Sequence, residues 1–412
     1  MNKKSKKKKE IKTPNRILYF LAFILVYPLL RLIFKITIDR SNYIPPKGSC
    51  VVLCNHQSYM DFLLVMFSLY PRRLNAVAAQ KFFFIKPLNI VLPLMGGIPK
   101  NLFEPDARSV LHIIKIIKRG DSLLLFPEGR ISTDGTYAGI HKATGKLIKK
   151  LGVPVVSCNI EGAYVCMPFW RKGFRAGKER VTLCNLLSSE EINSLSVDEI
   201  NARIDNKLVE SNSNPVNKTY YVFRPKQLTQ GLENILYLCP ACNNEFTTQT
   251  SGNDIWCTVC KRKATMDRYA IFSSRHDLPR SVQEWYKIQV EHEMQSLFED
   301  MKPIIIPVDV SISSAEAKGL EAIGRGELSL DCKGWYYNGE INGEKVNMLY
   351  SVETVPALPF DPNINFQIYS KGKYHAFTPY ENKRACVKYS ILGECAYHKF
   401  NTDVQMTKSI ID

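Results

Sequence analysis

The apolar residues of this chain keep different rhythms in different stretches. An almost unbroken run, Ile17 to Leu30, contains Pro28, is interrupted at Arg31, and resumes through Leu32, Ile33 and Phe34 to Lys35. A bilayer-crossing helix needs about 20 apolar residues, so residues 17–38 read as an apolar membrane anchor of marginal length. From residue 40 to 225 short solid runs alternate with helically spaced ones. Val51–Cys54, Ser122–Phe126 and Val153–Ile160 are predicted strands. Ser58–Leu69, Asp106–Lys118 (apolar at Val110, Ile113, Ile114 and Ile117) and His141–Leu151 are predicted helices. Strands alternating with helices predict an α/β domain with a mixed sheet covered by flanking helices.

The second half of the chain is patterned differently. Residues 235–265 carry closely paired cysteines, and residues 266–302 form a linker that turns charged and helical from about residue 280. Residues 303–400 alternate over short segments such as Glu327–Leu330 and Phe366–Tyr369. Turn signals separate them at Gly334, Asn338-Gly339, Asn342-Gly343, Pro359 and Gly372. That pattern predicts a C-terminal antiparallel β-domain.

Charge changes the picture at the N-terminus. The chain has 412 residues, 55 Lys plus Arg against 39 Asp plus Glu, and a net charge of +16. Residues 1–16 hold eight basic residues against Glu10, a local +7, and read as a disordered basic tail suited to anionic headgroups. The remaining +9 is spread widely; a nucleic-acid partner, which net charge and the paired cysteines could suit, would leave the apolar run unexplained, and none is expected. A hydrophobic content of 45% excludes wholesale disorder. No small-residue cleavage site follows the apolar run, which argues against a secretory signal.

Two turns carry candidate chemistry. The strand Val51–Cys54 runs into Asn55-His56, with Asp61 five residues past the histidine. Asp61 would fix one imidazole nitrogen and leave the other as a base. The strand Ser122–Phe126 runs into Pro127-Glu128-Gly129-Arg130, a tight turn presenting an acid and a cation. Taken singly, either turn could be structural.

Taken together, Asn55-His56-x4-Asp61 and Phe126-Pro-Glu-Gly-Arg130, about 70 residues apart, resemble the glycerolipid acyltransferase family. Looser likenesses fall at Lys81, at Gly96–Asn101 with Lys100, and at Val153–Ser157; the resemblance covers about residues 40–220. It implies transfer of a fatty acyl chain from a thioester donor, acyl-CoA or acyl-ACP, to the free hydroxyl of a lysophospholipid. The foremost acceptor is 1-acylglycerol-3-phosphate, giving phosphatidic acid. His56 would be the base and Asp61 its partner. Glu128, Gly129 and Arg130, with Lys81 and Lys100, would hold the lipid's polar end. Arg130 directly after Gly129, where many members place Thr, leaves the headgroup open between phosphate and phosphoethanolamine. The expected site of action is the cytoplasmic face of the cell membrane, on a monotopic or single anchor.

Cys239-Pro-Ala-Cys242 and Cys257-Thr-Val-Cys260 are two knuckles 14 residues apart. They predict a small ribbon around one structural Zn, four thiolates closing the tetrahedron. Residues 326–337 loosely resemble the opening strands of pleckstrin-homology or GRAM domains, and a generic β-module is equally open. A rival reading keeps the ribbon and a lipid-binding β-domain as the working parts of a membrane-tethered binding protein with a degenerate catalytic domain.

Overall fold

The computed structural model describes residues 11–102, 106–210, 219–275, 277–299, 304–314 and 322–411. Most of the expected basic tail, residues 1–10, lies outside them. Residues 11–15 are not a loose tail but a strap across the first domain: Arg119 donates to the Ile11 carbonyl, Asn75 to that of Lys12 and Arg73 to that of Pro14.

The apolar run forms helix α1, Arg16–Phe34, capped by the Asn15 side chain on the N–H groups of Ile17 and Leu18. Its C-terminal carbonyls reach the sheet region: Gly177 N–H donates to Ile33 and Glu179 N–H to Phe34. The anchor ends earlier than expected, because Ile38 already lies in strand β1, Thr37–Asn42.

Six further strands complete this sheet: β2 (Val51–Cys54), β3 (Leu74–Ala79), β4 (Ile98–Lys100), β5 (Ser122–Leu125), β6 (Val155–Glu161) and β7 (Arg180–Leu187). Their spatial order is β1-β7-β6-β2-β5-β3-β4. All neighbours pair in parallel except β6 with β7, so the sheet is mixed. The central strands β2 and β5 are buried on both faces and therefore read as solid apolar runs. Between and after them lie helices α2 (Asp61–Ser68), α3 (Leu88–Leu94), α4 (Ala107–Lys118), α5 (Ala143–Leu151), α6 (Ala163–Cys166), α7 (Ser189–Ser194) and α8 (Val197–Val209). One core joins α1 and α2 to one face of the sheet; another joins α4, α5 and α8 to the opposite face.

A four-stranded antiparallel sheet follows, β8 (Thr248–Ser251), β9 (Asp254–Cys257), β10 (Lys263–Met266) and β11 (Phe272–Ser273), then helix α9 (Val282–Glu299). The last sheet is a separate antiparallel one: β12 (Ile304–Ser314), β13 (Ala322–Asp331), β14 (Gly334–Ile341), β15 (Glu344–Ser351), β16 (Phe360–Asp361), β17 (Asn365–Ser370) and β18 (Lys373–Pro379), ordered β15-β14-β13-β12-β18-β17-β16. Helix α10, Cys386–Ile411, packs against it and against α9. Asn342-Gly343 and Gly372 make the turns their composition predicts, with positive φ at each of these positions. Asn338-Gly339 does not. It lies inside β14, where a side chain at Gly339 would meet the backbone of Arg325 and Gly326.

The ribbon is not an isolated spacer. A single core runs from Tyr164, Trp170 and Val222 through the ribbon residues Leu238 and Ile255 to Trp335, Phe377 and Leu392.

Candidate active site

The ends of β2 and β5 are neighbours in the sheet, which brings their two turns together. Asn55 locks the first turn to β6: its amide donates to the Ile160 carbonyl and its oxygen accepts the Ile160 N–H, both at 2.8 Å. His56 follows, with Nδ1 2.9 Å from Oδ2 of Asp61. Asp61 is fully buried. The same oxygen accepts the N–H of Gln57 at 2.6 Å and of Ser58 at 2.9 Å, and Oδ1 accepts the Ser58 hydroxyl at 2.6 Å. A carboxylate already accepting from three donors makes Nδ1 a donor as well, which leaves Nε2 to accept a proton. The predicted helix from Ser58 begins instead at Asp61, after a turn whose Ser58 is held by these bonds. The imidazole stacks on Phe126, centroids 4.1 Å apart, and its side chain is 20% exposed.

In the second turn Gly129 has φ +74° and donates its N–H to the Phe126 carbonyl at 3.1 Å. A positive φ suits glycine and strains other residues. Glu128, expected beside the lipid's polar end, spends both oxygens on backbone amides: Oε1 accepts His56 N–H at 2.8 Å and Oε2 accepts Ala138 N–H at 3.0 Å. Burial pushes its carboxyl up to about 7 despite those two bonds. Ser132 N–H returns to the His56 carbonyl at 2.8 Å. The glutamate is thus a brace between the two turns.

The three cations lie on this side of the sheet, but two of them are occupied. Arg130 donates through Nη1 and Nη2 to the Glu394 carboxylate of α10, the Nη2–Oε2 distance being 3.0 Å. Lys81, in the turn after β3, sits 2.9 Å from each oxygen of Asp361 on β16. Lys100 ends β4 beside Ala79 of β3. Burial lowers its pKa, opposed by nearby Asp106. Neither Asp361 nor Glu394 was signalled by the sequence.

Glu179, just before β7, carries no signal in the sequence either. It is 2% exposed, and one carboxyl oxygen has no hydrogen-bond partner. Burial, and then the charge of Asp61, push its carboxyl up to about 8.

The four ribbon cysteines converge as spaced. Their sulfurs lie within 4.8 Å of one another, with Cys239–Cys260 and Cys242–Cys257 each at 3.7 Å. Tetrahedral zinc with Zn–S of about 2.3 Å requires S–S edges of about 3.8 Å, so the residues fit such an ion. The Val259 N–H and Asn244 amide point at the Cys257 and Cys242 sulfurs, both at 3.4 Å.

Residues 35–161, the stretch containing both turns, match the family model described as Acyltransferase. The 1-acyl-sn-glycerol-3-phosphate acyltransferase BAT2, chloroplastic, of Brassica napus is 28% identical over 155 residues, 37% of this chain and 43% of that protein. The 1-acyl-sn-glycerol-3-phosphate acyltransferase of Borreliella burgdorferi is 28% identical over 124 residues, 30% of this chain and 49% of its own. The chain spans less than half the length of each of these curated relatives. A solved structure, the 1-acyl-sn-glycerophosphate acyltransferase PlsC of Thermotoga maritima, is 22% identical and covers 47% of this chain and 77% of its own, with a TM-score of 0.42.

Beside the first sheet and its helices lies an apolar surface. α1 is the one helix among the described residues long and apolar enough to cross a membrane, with mean hydropathy 2.3. It leaves Ile17, Leu25, Leu29 and Leu32 more than half exposed. The short helix α3 buries none of its residues and adds exposed Ile90, Val91 and Leu94. Asn15 N–H donates to the Leu94 carbonyl and ties the start of α1 to the end of α3.

Proposed function

We propose that this chain transfers a fatty acyl group from a thioester donor, acyl-CoA or acyl-ACP, to the free hydroxyl of 1-acylglycerol-3-phosphate, giving phosphatidic acid. The observation that carries the proposal is the His56–Asp61 pair braced by Glu128 within the acyltransferase-family stretch. Nε2 of His56 takes the proton as the acceptor hydroxyl attacks the thioester carbonyl. The tetrahedral intermediate collapses with loss of the thiolate, and the imidazolium returns the proton to sulfur. Asp61 holds the ring in place and stabilises its charged form. Arg130, Lys81 and Lys100 are the groups for the headgroup phosphate. No acyl-enzyme is needed.

The reaction belongs at a membrane surface, and a monotopic anchor suits α1. Tyr19, near its N-terminal end, donates to the Arg72 carbonyl, and Leu30 and Phe34 near the other end are buried in the same core. A helix spanning about 30 Å of hydrocarbon cannot keep both ends packed on a domain outside it. In this reading α1 and α3 would lie in the headgroup region, and the leaflet we propose is the cytoplasmic one, whose anionic lipids would suit the basic N-terminal sequence. The ribbon would hold one structural zinc, with no open coordination position for chemistry.

The deciding experiment incubates the full chain in mixed micelles with a panel of lysolipids and both donors. Phosphatidic acid should form from 1-acylglycerol-3-phosphate. No transfer to any acceptor from either donor would leave the binding-protein reading standing instead.

A further inference from the structure

Two of the cations proposed for the headgroup phosphate are met by carboxylates from the far end of the chain. Glu394 engages both terminal nitrogens of Arg130 side by side. This is the fork that a phosphate would use, two parallel N–H donors on two oxygens. Asp361 places both oxygens on the Lys81 ammonium. Its position is itself fixed, because Oδ2 also accepts the amide of Gln367, a fully buried residue, at 2.8 Å. The four side chains are only 19 to 28% exposed, so the pairs are covered yet within reach of solvent.

Both acids belong to one body. Asp361 lies on β16, Glu394 on α10, and the core of the last sheet includes Phe360 and Leu392 beside them. This body approaches the histidine turn as well. Phe360 meets Phe169 edge-on at 5.3 Å, and Phe169 lies 6.2 Å from Tyr59, inside the His56–Asp61 loop. The module therefore meets the proposed headgroup cations at two points, each through a carboxylate.

We infer that the C-terminal β-module is an intramolecular competitor of the acceptor phosphate: Asp361 and Glu394 hold Lys81 and Arg130 until the phosphate displaces them. The inference rests on the headgroup role proposed for these cations. Its energetics are those of a closed and an open form. Only the open fraction binds acceptor, so the apparent affinity is the intrinsic one reduced by that fraction. The donor, and the chemical step once acceptor is bound, are untouched. The phosphate has an advantage in the exchange, because it carries about two negative charges where each carboxylate carries one.

The test is Asp361→Asn, Glu394→Gln and the double variant in the full chain, with folding checked by circular dichroism and melting. Partly exposed ion pairs of this kind give a shift of about 2–5-fold each. The KM for 1-acylglycerol-3-phosphate should fall by that factor in each single variant and further in the double, with kcat and donor KM unchanged. In parallel, glycerol 3-phosphate binding by calorimetry should tighten by the same factor, a readout that needs no turnover. Unchanged KM and unchanged binding would mean that the pairs only dock the module. A raised KM would make the acids headgroup ligands rather than competitors. Either result overturns the inference. If wild-type protein turns over no lysolipid while glycerol 3-phosphate still binds more tightly to the double variant, the proposed reaction fails and the competition stands.

Discussion

Glu128 accepts the backbone N–H of His56 at 2.8 Å, joining residues 72 positions apart in the chain. The imidazole is aimed by its own loop and Asp61, but the loop is held in place by the opposite turn. Glu128→Ala should therefore lower kcat, because the base loses its support, with a smaller effect on either KM. Glu128→Gln keeps one acceptor oxygen and should fall between. A Glu128 variant that changes only acceptor KM would return this residue to the lipid.

Removing the base itself should cost more. His56→Ala should lower turnover by about 10²–10⁴-fold, with melting temperature and vesicle binding retained. Initial rates at saturating donor and acceptor decide this, and near wild-type turnover would end the proposed mechanism.

Arg130→Ala and Lys81→Ala should raise the acceptor KM far more than the donor KM, since binding to the phosphate is what they lose. A donor-side effect would mean that these cations serve the thioester's carrier.

Glu179 makes a pH prediction. Its folded carboxyl is raised to about 8 against an ordinary value near 4.5, chiefly by burial and secondarily by Asp61. A raised pKa means that the folded state holds the proton more tightly. Its stabilising contribution is complete below about pH 4.5 and is lost as pH rises through about 8. Glu179→Gln cannot lose that proton. Wild type and variant should melt alike near pH 5, and the variant should gain relative stability toward pH 8.5. A constant difference across this range would show that the carboxyl does not titrate in the window.

The metal prediction rests on ligand count. The full chain should carry about one zinc, lost in Cys257→Ser/Cys260→Ser and on chelation. Four thiolates leave no position for water or substrate, so loss should act through stability rather than through pH dependence of turnover. The apolar face can be tested without deleting α1, whose carbonyls serve Gly177 and Glu179. Leu25→Glu with Leu29→Glu should sharply weaken binding to anionic vesicles while the fold persists.

What could be read from the sequence was local. β2 and β5 announce themselves because strands buried on both faces are uniformly apolar and end at turn residues. β3, with Asn75 among alanines, and β7, with Thr182 and Asn185, carry no such signal. α3 was hidden by Pro87 and Pro93, which break the helical rhythm it nevertheless adopts. His56 with Asp61 and the four cysteines were legible because their partners lie a few residues away. The brace formed by Glu128 was hidden because its partners are backbone amides, which no side-chain pattern records. Asp361 and Glu394 act across 280 and 264 residues, and only the fold brings them to Lys81 and Arg130.

Arg384, just ahead of α10, sends its guanidinium into the ribbon and donates to the carbonyls of Glu233, Phe246 and Thr248. With the core that joins Trp170 to Leu392, this leaves no seam among the described residues between ribbon and β-module where the chain could be cut cleanly. Ending it near residue 225 would bare Tyr164, Trp170 and Val222, which the ribbon covers. Heating should accordingly melt residues 222–400 as one cooperative block, and loss of the metal at one edge of that block would be felt at the other.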